Sequence, residues 1–238
     1  MRRKIAASCR PVVNRLVAVL PRRDRERLLA ACVTVDLTVG DVLCERGEPI
    51  RHAYFPLDGF ISMLLTVDDH ANLGLDLVGN EGMVGIPLAL GVPVSPLRAA
   101  VQGPGSALRI SPASLRHELR RSTALRNTLK RYAYVSLAQL AQAAACNSFH
   151  ALDARLVRWL LMTHDRSRSD ELRLTHELLA QTLGVRRVGV TNAASTLQKR
   201  SLVSYRRGHI RVLDRSGLEA ASCSCYRAAR NTYTRVFG

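Results

Sequence analysis

The stretch from Leu172 to Leu213 most restricts the possible folds, because its hydrophobic period changes from helical to alternating along its length. Thr175 can cap a helix whose apolar positions form one face, and Gly184 can end that helix in the left-handed conformation. The apolar positions are Leu178, Leu179 and Leu183. A second amphipathic helix follows almost at once, so the stretch predicts a helix-turn-helix.

The second predicted helix has an apolar side and an exposed side. The apolar side is formed by Val190, Ala194 and Leu197. After Arg200 an alternating pattern predicts a hairpin, whose turn Arg206-Arg207-Gly208 is basic and is followed by His209 and Arg211. A polar helix beside a basic hairpin indicates a winged helix-turn-helix, in which the helix enters the major groove of DNA and the hairpin contacts phosphates.

The predicted DNA-binding residues lie at the start of the first helix, on the exposed side of the second and on the hairpin. They are Thr175, Arg186, Arg187, Val188, Thr191, Asn192, Ser195, Lys199, Arg206 and Arg207. The competing interpretation is that two amphipathic helices and a hairpin only pack a small domain. The polar helix face combined with the basic hairpin favours DNA binding.

The charge distribution supports a polyanionic partner for the C-terminal part. The whole chain of 238 residues carries a net charge of +16, but residues 34–110 have four basic against nine acidic side chains. Residues 150–238 have sixteen basic against seven acidic side chains. An acidic module is therefore followed by a basic one, which double-stranded DNA would attract.

The N-terminal part predicts a β-rich module followed by a long helix. Residues 12–32 predict two short helices separated at Leu20-Pro21, and residues 33–110 are short alternating runs separated by turn residues, as in a β-roll or barrel. Helices are then predicted over Ala113–Arg121, from about Ser122 to Asn147, and from about Phe149 to His164, with a hinge near Asn147-Ser148.

The long helix carries an apolar stripe, formed by Leu125, Leu129, Tyr132 or Ala133, Leu137, Leu140 and Ala144. Such a stripe suits pairing with a second copy of the same helix, or packing against the β-roll alone. We favour a homodimer through this helix, since helix-turn-helix proteins commonly work through two-fold symmetry. Two domains are predicted. The first covers residues 1–147 and includes the long helix at about 113–147, and the second covers residues 148–238.

The order of elements resembles the Crp/Fnr family of bacterial transcription regulators, and the resemblance covers nearly the whole chain. Its markers are GDVLCERGEPIRHAYFPLDGFIS, the long helix and LTHELLAQTLGVRRVGVTNAASTLQKRSLV. It implies an α+β fold with a cyclic-nucleotide-binding-like β-roll, a long dimerisation helix and a C-terminal winged helix-turn-helix. It also implies a cytoplasmic homodimer that binds an imperfect palindrome and acts through RNA polymerase.

The second helix of the helix-turn-helix, called the recognition helix because it contacts the bases, departs from the pattern of better-known family members, which resembles Gly-Val-Ser-Arg-Glu-Thr-Val-Ser-Arg. The matching segment here runs from Gly184 to Asn192. Only Arg187 keeps a base-contacting side chain of the family type, because Val188 replaces the usual Glu and Asn192 the usual second Arg. Arg187 can contact guanine, Asn192 adenine and Val188 a thymine methyl group, which predicts an altered half-site.

The effector site implied by the resemblance is incomplete. Cyclic-nucleotide binders of the family use a Gly-Glu-Leu segment for the ribose and an Arg followed by a small residue for the phosphate. The candidate residues here are Gly82, Gly85, Arg98 and Ala99. Ile86 and Pro87 stand where the Glu is expected, and an alkyl group cannot replace a carboxylate. A cyclic nucleotide is therefore possible but disfavoured, and no cofactor is identified.

The six cysteines give no complete metal site. Cys223 and Cys225 form a close pair that can help to bind metal or sense oxidation, but the sequence identifies no further ligands and the seven histidines show no metal-ligand spacing. No nucleophile elbow, phosphate-binding loop or zinc-protease motif is found, so we do not expect an enzyme.

No apolar run is long enough to cross a membrane, and the N-terminus lacks the apolar region of a signal peptide, so a cytoplasmic protein is expected. Two alternatives to a sequence-specific regulator remain. One is a ligand-binding regulatory subunit acting through protein contacts, and the other is a non-specific DNA-binding protein.

Overall fold

The computed structural model describes residues 14–67, 70–167 and 169–238. The absence of a signal peptide was predicted from residues 1–13, which lie outside the described residues. The described part has mixed helices and antiparallel sheets, so the predicted α+β fold is confirmed. Within it, no helix has the length and apolar character needed to span a bilayer.

Two short helices precede the sheets, α1 (Arg15–Ala18) and α2 (Arg22–Ala30). The predicted break at Leu20-Pro21 is confirmed, since both residues lie between the helices. Asn14 caps α1 through its side-chain oxygen, and its amide donates to the carbonyl oxygens of Pro56 and Gly82 at 3.0 and 2.8 Å. A buried side-chain amide therefore joins α1 to the β-roll.

The β-roll consists of two antiparallel sheets. Its strands are β1 (Val33–Leu37), β2 (Val42–Cys44), β3 (Ala53–Pro56), β4 (Phe60–Val67), β5 (His70–Val78), β6 (Arg98–Gly103) and β7 (Gly105–Ile110). The sheet orders are β1-β7-β3 and β2-β6-β4-β5. Alternating side chains such as Ile61, Ala99 and Val101 are buried together with Ala107 in one core cluster. A 3₁₀ helix, Ile86–Leu90, lies between β5 and β6.

The helices that follow are α3 (Pro112–Arg121), α4 (Thr123–Phe149) and α5 (Leu152–Ser167). The hinge was predicted near Asn147-Ser148, and the break between α4 and α5 lies two residues further on, at His150 and Ala151, because α4 continues to Phe149. The amide of His150 still donates to the carbonyl of Cys146 at 3.1 Å, so the helical hydrogen bonding extends past the predicted hinge. The domain division itself stays a prediction.

The apolar stripe of α4 divides into two parts. Leu125, Leu129 and Tyr132 are buried in the core that α4 shares with α1, α2 and the β-roll. The stripe as a whole therefore cannot pair with a second copy, which corrects the prediction. Further along α4, a different face is exposed in the single chain and comprises Tyr134, Leu137, Ala141 and Ala144.

The C-terminal unit contains a small sheet and several helices. They are β8 (Glu171–Arg173), α6 (His176–Leu183), α7 (Arg187–Lys199), β9 (Val203–Arg206), β10 (His209–Val212), α8 (Arg215–Ala221) and α9 (Ser224–Phe237). Both helices of the predicted helix-turn-helix and both hairpin strands are confirmed. Three elements, β8, α8 and α9, were not predicted from the sequence, and α9 packs against α4.

A buried charged network joins the β-roll to α5. Asp76 on β5 is fully buried, and burial raises the pKa of its carboxyl to about 6, although the positive charge of Arg166 opposes the shift. Arg166 itself forms an ion pair with Glu81 at 2.7 Å. Arg158 and the Tyr132 hydroxyl also interact electrostatically with Asp76.

We expect Asp76→Asn to change how stability depends on pH. The folded chain keeps the Asp76 proton up to about pH 6, whereas an unfolded chain releases it near pH 3.8. As the pH rises between those values, the free energy of unfolding of the wild type should fall relative to that of the variant, by up to about 1.4 kcal/mol per pH unit. Urea unfolding of both proteins across pH 4 to 8 measures this difference, and parallel curves would contradict it.

Candidate nucleic-acid interface

The first helix of the helix-turn-helix begins and ends at the predicted residues. The Thr175 hydroxyl accepts a hydrogen bond from the Leu178 amide at 3.1 Å, which caps α6. Gly184 ends the helix with a φ of 62°, a conformation that favours glycine. Residues with side chains on the inner face, such as Leu179 and Leu183, are buried. The turn therefore holds α6 and α7 at a short, fixed separation.

The second helix exposes the predicted contact residues along one side. These are Arg187, Val188, Thr191, Asn192, Ser195 and Lys199, with Arg186 exposed at the N-cap. Val188 is 63% exposed, although its side chain is apolar. The opposite side packs inward, and a Cβ atom on Gly189 would lie 3.0 Å from Leu152 of α5. Burial of one side leaves the other side free for a partner.

His176 connects the three parts of this surface, and sequence analysis missed it. Its ring Nδ1 lies 3.0 Å from the Thr191 hydroxyl, and its ring stacks on Tyr205 of the hairpin with 3.9 Å between centroids. Burial, and secondarily the charge of Arg187, lowers the pKa of His176. The Thr191 hydroxyl also donates to the Arg187 carbonyl at 3.1 Å, so this hydroxyl is held within the protein. The sequence gives no local signal for such a contact.

The hairpin forms the wing of the domain. Arg207 and Gly208 at its tip have φ values of 48° and 85°, as a two-residue turn with both positions left-handed requires. Strand β10 pairs with β9 on one side and with β8 on the other. A Cβ atom on Gly208 would lie 3.2 Å from Thr175, so the wing tip adjoins the start of α6.

The exposed basic side chains of the wing sheet are Arg173, Arg206, Arg207, His209 and Arg211. Arg173 comes from β8, directly opposite His209, and was not among the predicted contact residues. The exposed side of α7 and the β9–β10 hairpin are together called the α7–wing surface below, and Arg173 is left out of it because its side chain also lines a cavity between the β-roll and α6. Its geometry and charge suit a groove flanked by phosphates.

The predicted effector residues are not gathered into one cavity. Arg98 forms an ion pair with Glu45 at 3.4 Å and lines a cavity of about 260 Å³ between the β-roll and α6. Ala99 is fully buried. Gly82 packs against the Tyr132 hydroxyl of α4, and Gly85 adjoins Ala53. Neither glycine lines the cavity at Arg98.

The cysteine pair near the C-terminus has further metal-binding neighbours, contrary to the sequence analysis. Cys146 and His150 at the end of α4 lie beside Cys223 and Cys225. The spacing between the two pairs along the chain exceeds seventy residues, since Cys146 and Cys223 are 77 positions apart. Only the fold brings the four side chains together.

Comparisons with known proteins agree with this architecture. The family model of the Crp-like helix-turn-helix domain matches residues 154–221. No curated protein matches the sequence. A Crp/Fnr-family transcriptional regulator from Eubacterium rectale has 18% sequence identity, covers 87% of this chain and 96% of its own, and gives a TM-score of 0.68.

Two further solved structures are similar. FixK2 from Bradyrhizobium japonicum has 14% identity, with 81% of this chain and 98% of its own covered and a TM-score of 0.68. TTHA1359, a Crp/Fnr-family transcriptional regulator from Thermus thermophilus, has 22% identity. The match covers 80% of this chain and 98% of TTHA1359, with a TM-score of 0.67. The resemblance found in the sequence is confirmed, and the chain has the Crp/Fnr fold with a Crp-like helix-turn-helix domain.

Proposed function

We propose that this chain, which has the Crp/Fnr fold and a Crp-like helix-turn-helix domain, is a sequence-specific DNA-binding transcription regulator that works as a homodimer. The observation that carries the proposal is the α7–wing surface, where an exposed polar helix side lies beside exposed arginines. RNA polymerase is the expected protein partner.

Base contacts come from the first turns of α7. Arg187 binds guanine through two hydrogen bonds, Asn192 binds adenine, and Val188 contacts a thymine methyl group. The remaining predicted residues position the protein on phosphates or at the groove edge: Thr175, Arg186, Thr191, Ser195, Lys199, Arg206 and Arg207. Thr191 lies at the groove edge without donating to a phosphate, because its hydroxyl already donates to the Arg187 carbonyl. Positive side chains on the wing contribute affinity without sequence preference.

The exposed face of α4 is the dimer contact. Tyr134, Leu137, Ala141 and Ala144 recur at helical spacing and are exposed in the single chain. Pairing two copies of this face buries apolar side chains that otherwise contact water. The resulting two-fold symmetry places two recognition helices on two half-sites about one helical turn apart.

An unidentified regulatory signal controls the protein by binding to the β-roll. Arg98 is the anion-binding candidate, since its guanidinium lines the cavity between the β-roll and α6. Ala99, Gly82 and Gly85 are the other predicted contacts, but none of the three lines this cavity. Ile86, at the position where a ribose-binding carboxylate is expected, packs partly buried against the core. Calorimetry with cyclic AMP, repeated on Arg98→Ala, measures whether this site takes a nucleotide.

Selection of bound duplexes from a random DNA pool tests the function. We expect the wild-type chain to enrich a two-fold symmetric site, and Arg187→Ala with Asn192→Ala to lose that enrichment. The reason is that each bidentate base contact contributes roughly 1–3 kcal/mol of discrimination. Arg23→Ala is the matched control, because it removes one exposed positive charge from α2, which is not part of the α7–wing surface.

The outcomes separate the alternatives. Binding that depends strongly on salt but enriches no site would indicate a non-specific DNA-binding protein. Little affinity for any duplex would favour a regulatory subunit that acts through protein contacts. Equal loss of enrichment in the Arg23→Ala control would show that general charge, rather than base contacts, governs binding.

A further inference from the structure

Four side chains with metal-binding atoms converge where the end of α4 meets the start of α9. Cys146, His150, Cys223 and Cys225 each offer one ligand atom, and these atoms all lie within 4.8 Å of one another. The Cys146 and Cys223 sulfurs are 3.6 Å apart, and the Cys225 sulfur lies 3.4 Å from the His150 Nδ1. The α7–wing surface uses none of these groups.

Local structure presents the ligands in two pairs. Cys146 and His150 are four positions apart at the end of α4, so they lie on one face. Cys223 is the N-cap of α9, and Cys225 lies in its first turn. The N-terminus of a helix favours negative charge, so the start of α9 favours two thiolates. Each pair is short-range, and the packing of α9 on α4 brings the pairs together.

The separations fit a single tetrahedral ion. Two sulfur atoms bound to zinc at about 2.3 Å are about 3.8 Å apart when the angle at the metal is tetrahedral, and a nitrogen ligand at about 2.0 Å lies somewhat closer to them. The Cys146–Cys223 and Cys225–His150 separations, 3.6 and 3.4 Å, approach these values, and no separation among the four donor atoms exceeds 4.8 Å. We propose that Cys146, His150, Cys223 and Cys225 form a Cys₃His zinc site that joins α4 to α9.

A disulfide or an iron–sulfur cluster would account less well for the convergence of all four side chains. A disulfide between Cys146 and Cys223 would leave Cys225 and His150 without a role. An iron–sulfur cluster occupies the space between its ligands, and the four donor atoms lie too close together to surround one. Three sulfurs and one nitrogen in tetrahedral arrangement are a common structural zinc set.

The surroundings suit a site of net negative charge. Cys146 is fully buried and Cys225 is 1% exposed, so burial alone disfavours their thiolates, and a bound cation together with nearby polar and positive groups must compensate. The Gln142 amide donates to the Cys225 sulfur at 3.0 Å. Three thiolates and a neutral histidine leave zinc with one negative charge, which Arg155 and Arg158 on α5 can balance, as both interact with Cys146.

The proposed ion links the end of α4, before the break between α4 and α5, to α9, which follows that break in the chain. His150 is the first residue after α4, while α9 is the last helix of the C-terminal unit. Bound metal therefore holds both sides of the break in one arrangement, and removing it leaves α9 held on α4 by side-chain contacts alone. Arg155 extends this connection to the helix-turn-helix, since its guanidinium donates to the Leu183 carbonyl at the end of α6.

Metal analysis of the full chain, purified without chelator, tests the proposal. We expect one zinc ion per chain in the wild type and, after exchange with Co²⁺, the absorption of a tetrahedral cobalt–thiolate site. Cys225→Ser and His150→Ala each remove a ligand, so each should weaken zinc binding by more than the roughly 10- to 100-fold that loss of an outer-shell partner costs. Cys32→Ser and Cys44→Ser are matched controls, because these half-buried thiols lie outside the cluster. They should keep the full zinc content.

Thermal stability provides a second test of the zinc site, and this test does not depend on DNA binding. A chelator should lower the thermal midpoint of the wild type but not that of Cys225→Ser, and circular dichroism confirms that each variant is folded. His150 is at a helix end and only half-buried, so its variant remains informative if a cysteine variant fails to fold. The proposal is overturned by less than half an ion per chain, by iron with sulfide, or by a Cys146–Cys223 disulfide in place of zinc.

Discussion

Leu137→Asp is expected to make the protein monomeric and to weaken its binding to a two-fold symmetric DNA site by roughly 100-fold or more, because the second half-site is then no longer engaged by a linked copy. Leu137 is 66% exposed in the single chain, at the centre of the uncovered face of α4. An aspartate there would place two unpaired carboxylates between the paired helices, which burial strongly disfavours.

Two measurements check this expectation. Sedimentation equilibrium gives the oligomeric state, and fluorescence anisotropy with the selected duplex gives the affinity. Val92→Asp is the matched control, since Val92 is 49% exposed in the loop after the 3₁₀ helix. A Leu137→Asp protein that remained dimeric would exclude this face of α4 as the contact, whereas a monomeric wild type would refute the dimer itself.

Trp159→Ala should lower the free energy of unfolding by about 3–5 kcal/mol, the usual cost of deleting a large aromatic side chain from a core. Trp159 is 1% exposed on α5 and is the only tryptophan in the chain. Its ring also packs against the β-roll, where a Cβ atom on Gly74 of β5 would lie 2.6 Å from it. The substitution therefore removes packing inside the C-terminal unit and between that unit and the β-roll.

The ring nitrogen of Trp159 has no hydrogen-bond partner in the described part of the chain, so the loss is one of packing. Trp159→Phe keeps most of the aromatic volume and should cost clearly less than the alanine variant. Urea unfolding followed by far-ultraviolet circular dichroism measures both variants. A Trp159→Ala protein within about 1 kcal/mol of the wild type would contradict the central position assigned to this ring.

Much of the DNA-binding unit was predictable from local sequence. Thr175 as a cap, Gly184 as a helix end and the turn at Arg207-Gly208 are signals that span only a few residues. His176 was missed, because its contacts with Thr191 and Tyr205 depend on how α6, α7 and the wing pack together. The individual base contacts remain predictions, since side-chain exposure alone does not identify the bound base.

Short-range patterns in the sequence were enough to establish the order of most helices and strands, the polar side of α7 and the charge contrast between the two halves of the chain. The packing of distant segments was needed to show that Leu125 and Leu129 lie inside the single chain while Leu137 stays exposed. The same packing brought Cys146 to Cys223. Periodicity shows which face of a helix is apolar, but the surface that covers that face is set by contacts between segments far apart in the chain.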